Sequence, residues 1–163
     1  MHCFLWASVL SWGIGLGAKV FDLLVVAGAW SASPPSSFEL LPYGPRFPMN
    51  PGDFFQPLSA VMALGLLGAI ISGWRAPREI RFWLWLGFTM FLIIWAITPT
   101  VFWPMITELW GSAKGRISHT DAELMALAHR WIRWDWFRVS LIAIGFIASI
   151  RAISLPATAH RSN

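Results

Sequence analysis

Lys19 and Asp22 stand three residues apart inside a long apolar run, and Asp135 and Arg138 repeat that spacing inside another. Groups at i and i+3 share one helix face. The first face continues as Ser8, Ser11, Gly15, Lys19 and Asp22, and the second as Trp131, Asp135, Arg138, Ile142, Gly145 and Ser149. A charged side chain exposed to lipid costs roughly 3 kcal/mol or more, so both faces must turn into a bundle or a wet cavity. Lys19–Asp22 therefore reads either as a proton-active or substrate-binding pair, or as an internal ion pair that fixes packing. Arg138 either pairs with Asp135 as a snorkelling interfacial residue or holds a substrate anion or enolate oxygen. His129 lies just before this face, and its imidazole suits general-base work. An ordinary interfacial histidine would need no such role.

Aromatic residues surround these charges. Trp131, Trp134 and Phe137 could form an apolar cage for a hydrophobic ligand, although the two tryptophans equally suit a membrane interface. Upstream, "ITPTVFWP" places Pro99 between Thr98 and Thr100. The proline removes a backbone hydrogen bond, and either threonine can satisfy a freed carbonyl. The expected kink could open a pocket, or could simply bend the helix. Glu108, His119, Asp121, Glu123 and His129 lack the His-x3-His or Glu-x-x-His pairing of a metal site, so no metal and no cofactor are expected. Cys3 is the only cysteine, which excludes an intrachain disulfide. His2 and His160 are near the ends of the chain and are assigned no chemistry. Gly13, Gly15 and Gly17 follow no strand, so they suit close helix packing and not a nucleotide loop.

The elements that must position these groups are membrane helices. The 163 residues are 56% hydrophobic and 12% charged, with mean hydropathy +0.59. A soluble domain carries about 25% charge. Four segments are long enough for roughly 30 Å of hydrocarbon: about 4–30, 54–74, 80–103 and 134–155. The expected fold is all-α, an integral membrane four-helix bundle in one domain over 1–163. The first segment is read as a retained helix, because Lys19 and Asp22 interrupt what would be a signal peptide's apolar region. The Pro-rich stretch 33–53 reads as an outward structured loop or lid. "RAPRE" is short enough to make the second and third spans an antiparallel hairpin. The third connection should break at Gly111–Gly115. Thr120 with Glu123 fits a capping box, from which one amphipathic extension runs into the last helix.

Arg75, Arg78, Arg81, Arg151 and Arg161 favour both termini and the short loop in the cytoplasm, with Arg46 offset by Glu39 and Asp53. Net charge is +4. Because the arginines flank apolar segments, an anionic bilayer is the expected partner and nucleic acid is not. A bacterial inner membrane is the expected location. Trp30, Trp74, Trp103, Trp110 and the Trp131–Trp136 group are expected to form an interfacial belt.

"TPTVFWPMITEL" followed by "RWIRWDWFRVSL" resembles the anthrone-oxygenase-like family of small four-helix membrane proteins. That family carries a Pro-containing end of the third helix, then Trp-x3-(Asn or His)-x2-Arg entering the last helix. Trp131 and Arg138 match the signature, and Asp135 stands where the family has Asn or His. The resemblance implies oxidation of an anthrone-like, hydrophobic aromatic or lipid-like molecule by molecular oxygen, without metal or flavin. It would proceed by deprotonation of an acidic carbon, with His129 or Asp135 as base and Arg138 or Lys19 stabilising the anion. The rival readings are a non-catalytic accessory subunit of a larger membrane complex and a small transporter using Lys19–Asp22 as a relay. A homo-oligomer is compatible with all of these.

Overall fold

The computed structural model describes residues 1–42, 47 and 49–156. Arg46, His160 and Arg161, used or weighed above, lie outside the described residues. The described chain is all-helical, and four of its helices are long and apolar enough to cross a membrane: α1 (His2–Trp30), α2 (Pro51–Ser72), α3 (Arg78–Ala113) and α4 (Asp121–Ser154). Each helix packs on its neighbours in sequence, and α4 closes the ring against α1.

Local signals explain most boundaries. Asn50 and Asp53 form a capping box at the start of α2, with Pro51 in the first turn where a missing N–H costs nothing. The sequence reading began this helix later, at Phe54. The signal was there to be seen in Asn50-Pro51-x-Asp53. Pro57 is carried inside the same helix. Thr120 accepts from the Glu123 amide, and the Glu123 carboxylate accepts from the Thr120 N–H, so the expected box starts α4.

The third span runs further than expected. It does not stop near Trp103 but continues to Ala113 through a π-helical turn at Thr98–Phe102. Pro99 has no N–H to give, and the Thr98 and Thr100 hydroxyls donate to the carbonyls of Ile94 and Ala96. The helix thus re-satisfies itself around the proline instead of ending. It stops at Lys114, and Gly115 takes a left-handed turn with φ +66°.

Close helix approach depends on particular small residues. A Cβ at Gly65 would meet the backbone of α1, 3.0 Å from Ser8 N and 3.1 Å from Phe4 O. At Gly145 it would meet the Trp12 ring at 2.5 Å. Gly17, expected to serve packing, has nothing within 4 Å. Ser8 and Ser149 hydroxyls bond at 3.0 Å across α1 and α4.

The core has three parts. One lies at the end bearing Met1 and includes Leu5, Ile80, Leu84 and Ala152. A middle layer holds Trp12, Met62, Leu66 and Ile142. The largest, at the opposite end, includes Leu23, Trp30, Phe38, Phe102, Leu109, Leu127 and Trp131. Trp30 and Trp131 are core residues there, 3% and 4% exposed, and so leave the expected aromatic belt. Trp74 does sit exposed just past the end of α2, whereas Trp103, also exposed, lies within α3 and not at its end.

Candidate functional site

The two charged helix faces meet. Lys19 forms an ion pair with Asp22 one turn on. Its Nζ also lies 3.0 Å from Asp135 Oδ2 on α4. Asp135 Oδ1 accepts from Arg138 Nε at 2.8 Å, and Arg138 Nη2 contacts the same oxygen. The result is one chain of alternating charge, Asp22–Lys19–Asp135–Arg138, joining α1 to α4. Two anions and two cations sum to zero formal charge, which is what lets the group reside among apolar side chains. Lys19 and Asp135 are buried, Asp135 completely. Asp135 Oδ2 faces Lys19 at ion-pair distance without an aligned hydrogen bond. The attraction across the helices is thus chiefly Coulombic.

Aromatic rings insulate the charges. The Arg138 guanidinium carbon lies 3.7 Å from the centroid of Phe102. Lys19 Nζ lies 5.1 Å from the Trp131 ring and 5.7 Å from that of Phe55. Both distances suit cation–π attraction. Trp131 is itself gripped edge-on by Trp30 and Phe102, with centroids at 5.3 and 5.8 Å. Two π-helical turns flank the site: Asp22 begins one, Asp22–Val26, and Phe102 ends the other. Such turns recur at functional sites.

Two of the four charged groups keep some exposure, Asp22 at 16% and Arg138 at 13%. Asp22 lines a cleft together with Trp30, Leu41, Pro42, Ile106, Leu109, Trp110 and Trp131. The Pro-rich segment forms part of its wall. A 3-10 turn at Ser36–Leu40 seats Phe38 against Trp30, and the Ser37 hydroxyl donates to the Trp30 carbonyl at 2.6 Å. The space is about 10 Å³, near the roughly 10–15 Å³ that holds a single water. A larger guest must displace Leu41, Pro42 or the end of α3. The Trp131 indole N–H is buried and has no acceptor among the described residues. An unsatisfied buried donor beside a cleft offers a ligand a hydrogen bond that the protein has left unmade.

The remaining predicted site residues lie elsewhere. His129 is exposed on α4. Trp134 and Phe137 pack edge to face with each other on an exposed flank, 38% and 48% exposed. Thr98 and Thr100 spend their hydroxyl protons on their own helix. His119 bridges Glu108 on α3, at 3.2 Å, and Glu123 on α4, at 3.7 Å. Among the described residues no group of three or more His, Cys, Asp or Glu is arranged to hold a metal ion. Phe55 and Phe102, which wall the charges, escaped sequence reasoning, because nothing distinguishes them from other apolar residues of their spans.

Such an arrangement defines a class: a helical membrane protein with a charge-neutral polar site buried near one end of its bundle, beneath an aromatic roof. The family model for anthrone oxygenase matches residues 48–148, well over half of the chain, and the protein belongs to that family. The matched region contains Trp131, Asp135 and Arg138, whereas Lys19 and Asp22 precede it. Neither the curated proteins nor the solved structures contain a significant match to the chain.

Proposed function

We propose that this protein is an oxygenase that converts an acidic methylene of a hydrophobic aromatic ketone into a carbonyl with molecular oxygen. The observation that carries the reading is Asp22, a carboxylate held by Lys19 at the floor of an otherwise aromatic and aliphatic cleft. Family membership supplies the reaction type.

The chemistry follows from those residues. The flat substrate lies between Trp30, Trp110 and Trp131, and its carbonyl oxygen accepts from the Trp131 indole N–H. Asp22 removes one methylene proton, and the enolate charge that develops is met by that N–H and by the nearby Lys19 ammonium. The carbanion passes one electron to O₂, and the radical pair closes a C–O bond to give a peroxide anion. This anion recovers the proton from Asp22. Loss of the second C–H proton to Asp22 then breaks the O–O bond and leaves C=O, and the expelled hydroxide takes that proton as water. The sum is CH₂ + O₂ → C=O + H₂O. Asp135 and Arg138 hold Lys19 in place and keep the site neutral.

His129 is exposed and does not line this cleft, and Asp135 is committed to Lys19 and Arg138, so the base role moves to Asp22. The bilayer and a hydrophobic small molecule are the partners this reading requires. A bacterial inner membrane with both termini cytoplasmic remains part of this reading; Arg75, Arg78, Arg81 and Arg151 lie at one end, and Lys114, Arg116, Arg130 and Arg133 lie toward the other. The accessory-subunit reading draws on α3, whose most apolar stretch is 17% buried against 39% for α4. An exposed flank of that kind suits lipid equally well.

Oxygen uptake by the purified protein with an anthrone tests the proposal. One O₂ should be consumed per quinone formed, and Asp22→Asn should lower turnover by about 10²-fold or more, the usual weight of a general base. No uptake by the parent protein, or equal turnover in the variant, refutes it.

A further inference from the structure

At the opposite end of the bundle from the charge cluster, Arg75, Arg78 and Arg81 fall within seven residues of the α2–α3 turn. None of them makes a hydrogen bond, an ion pair or a ring contact with a described residue. Arg151 differs, since its guanidinium lies over Trp83 at 5.8 Å. Arg81 projects from the second turn of α3 and shares a face with Trp85, four residues on. Together with Trp74, Ile70 and Leu84 these two residues line a surface groove between α2 and α3. Its floor is aliphatic and buried, with Ile70 8% and Leu84 2% exposed, while its walls Trp74 and Trp85 are 65% and 47% exposed. No described side chain caps the start of α3, so its free N–H groups face the same mouth, with Glu79 in that first turn.

We propose that this groove binds one anionic phospholipid, with the phosphodiester on Arg81 and an acyl chain along Trp85 and Leu84. A guanidinium fork matches phosphate oxygens in pairs. Indole rings beside it suit the boundary between headgroup and hydrocarbon. A soluble anion would use the arginine and leave two large indole faces uncovered. A lipid uses both, and α3 carries them in the order a lipid presents its parts: charge at the helix mouth, then Trp85 one turn deeper. The site lies outside the cleft at Asp22 and is independent of the reaction assigned there.

Native mass spectrometry of the full chain, reconstituted with equal phosphatidylglycerol and phosphatidylcholine, reads the preference directly. One phosphatidylglycerol per chain should be retained. Arg81→Gln should reduce that retention about fivefold, the weight of one surface arginine toward anionic lipid, without changing phosphatidylcholine. Arg151→Gln should leave it intact. Trp85→Ala should weaken long-chain phosphatidylglycerol but not its dihexanoyl analogue. Arg81 has no partner among the described residues, so its loss should not impair folding, and an unchanged melting temperature verifies this. Equal retention of the two lipids, or unchanged retention in Arg81→Gln, overturns the proposal. Inorganic phosphate displacing the lipid at equal concentration would also overturn it, by showing a soluble-anion site.

Discussion

Replacing Lys19 by methionine removes the only cation between two carboxylates while keeping most of the side chain's volume. At 3.0 Å from Asp135 Oδ2, its gross attraction is about 5–6 kcal/mol at an effective dielectric near 20. The pairing with Asp22 adds to this, and the cost of desolvating the ammonium itself subtracts several kcal/mol. Asp135 keeps Arg138, but the cluster changes from zero to one net negative charge in a water-poor site. Breaking a buried pair from one side costs about 3–5 kcal/mol, and that is the expected destabilisation. Lys19→Met combined with Asp22→Asn restores neutrality, so the double variant should recover about 2 kcal/mol or more relative to the sum of the single effects. The assay is reversible unfolding in mixed micelles, followed by tryptophan fluorescence, for the parent, both single variants and the double. If Lys19→Met matches the parent, or the two effects merely add, the cluster does not function as a charge-balanced unit.

Two further outcomes follow from the same geometry. Trp131→Phe deletes an indole N–H that has no acceptor among the described residues, but it also removes part of a buried ring, so the same unfolding assay should show a loss of about 1–2 kcal/mol. Oxygen uptake with a ketone substrate should fall at least tenfold, whereas an unchanged rate would remove that N–H from substrate binding. Gly65→Ala would drive a methyl to 3.0 Å from the Ser8 backbone nitrogen, which a rotamer change cannot relieve. It should cost about 1–3 kcal/mol, and a variant melting with the parent would show that α1 and α2 are free to separate there.

Much of this protein was legible in the sequence. Low charge and four long apolar runs require membrane helices, because only a helix satisfies its own backbone in lipid. The spacing of Lys19 with Asp22, and of Trp131 with Asp135 and Arg138, marks two inward faces, and both are inward. Thr120 and Glu123 mark the start of the last helix. Other features were misplaced for identifiable reasons. The threonines beside Pro99 bond back to their own helix as expected, but the π-helical turn that carries the span past Trp103 to Ala113 was not legible. Trp30 and Trp131 read as belt residues, because amphipathic rings near helix ends usually are. Composition cannot show that Phe38 and Phe102 bury them.

The tertiary structure alone decided that the two charged pairs form one cluster. Periodicity tells which face of a helix turns inward, but not how far each helix slides or rotates against the next. Those two variables are set by contacts of single atoms, such as Gly65 against the Ser8 backbone and Gly145 against the Trp12 ring. They bring Lys19 level with Asp135 across 116 residues of sequence. The same choice leaves Asp22 at the cleft, encloses Asp135, and turns His129 outward.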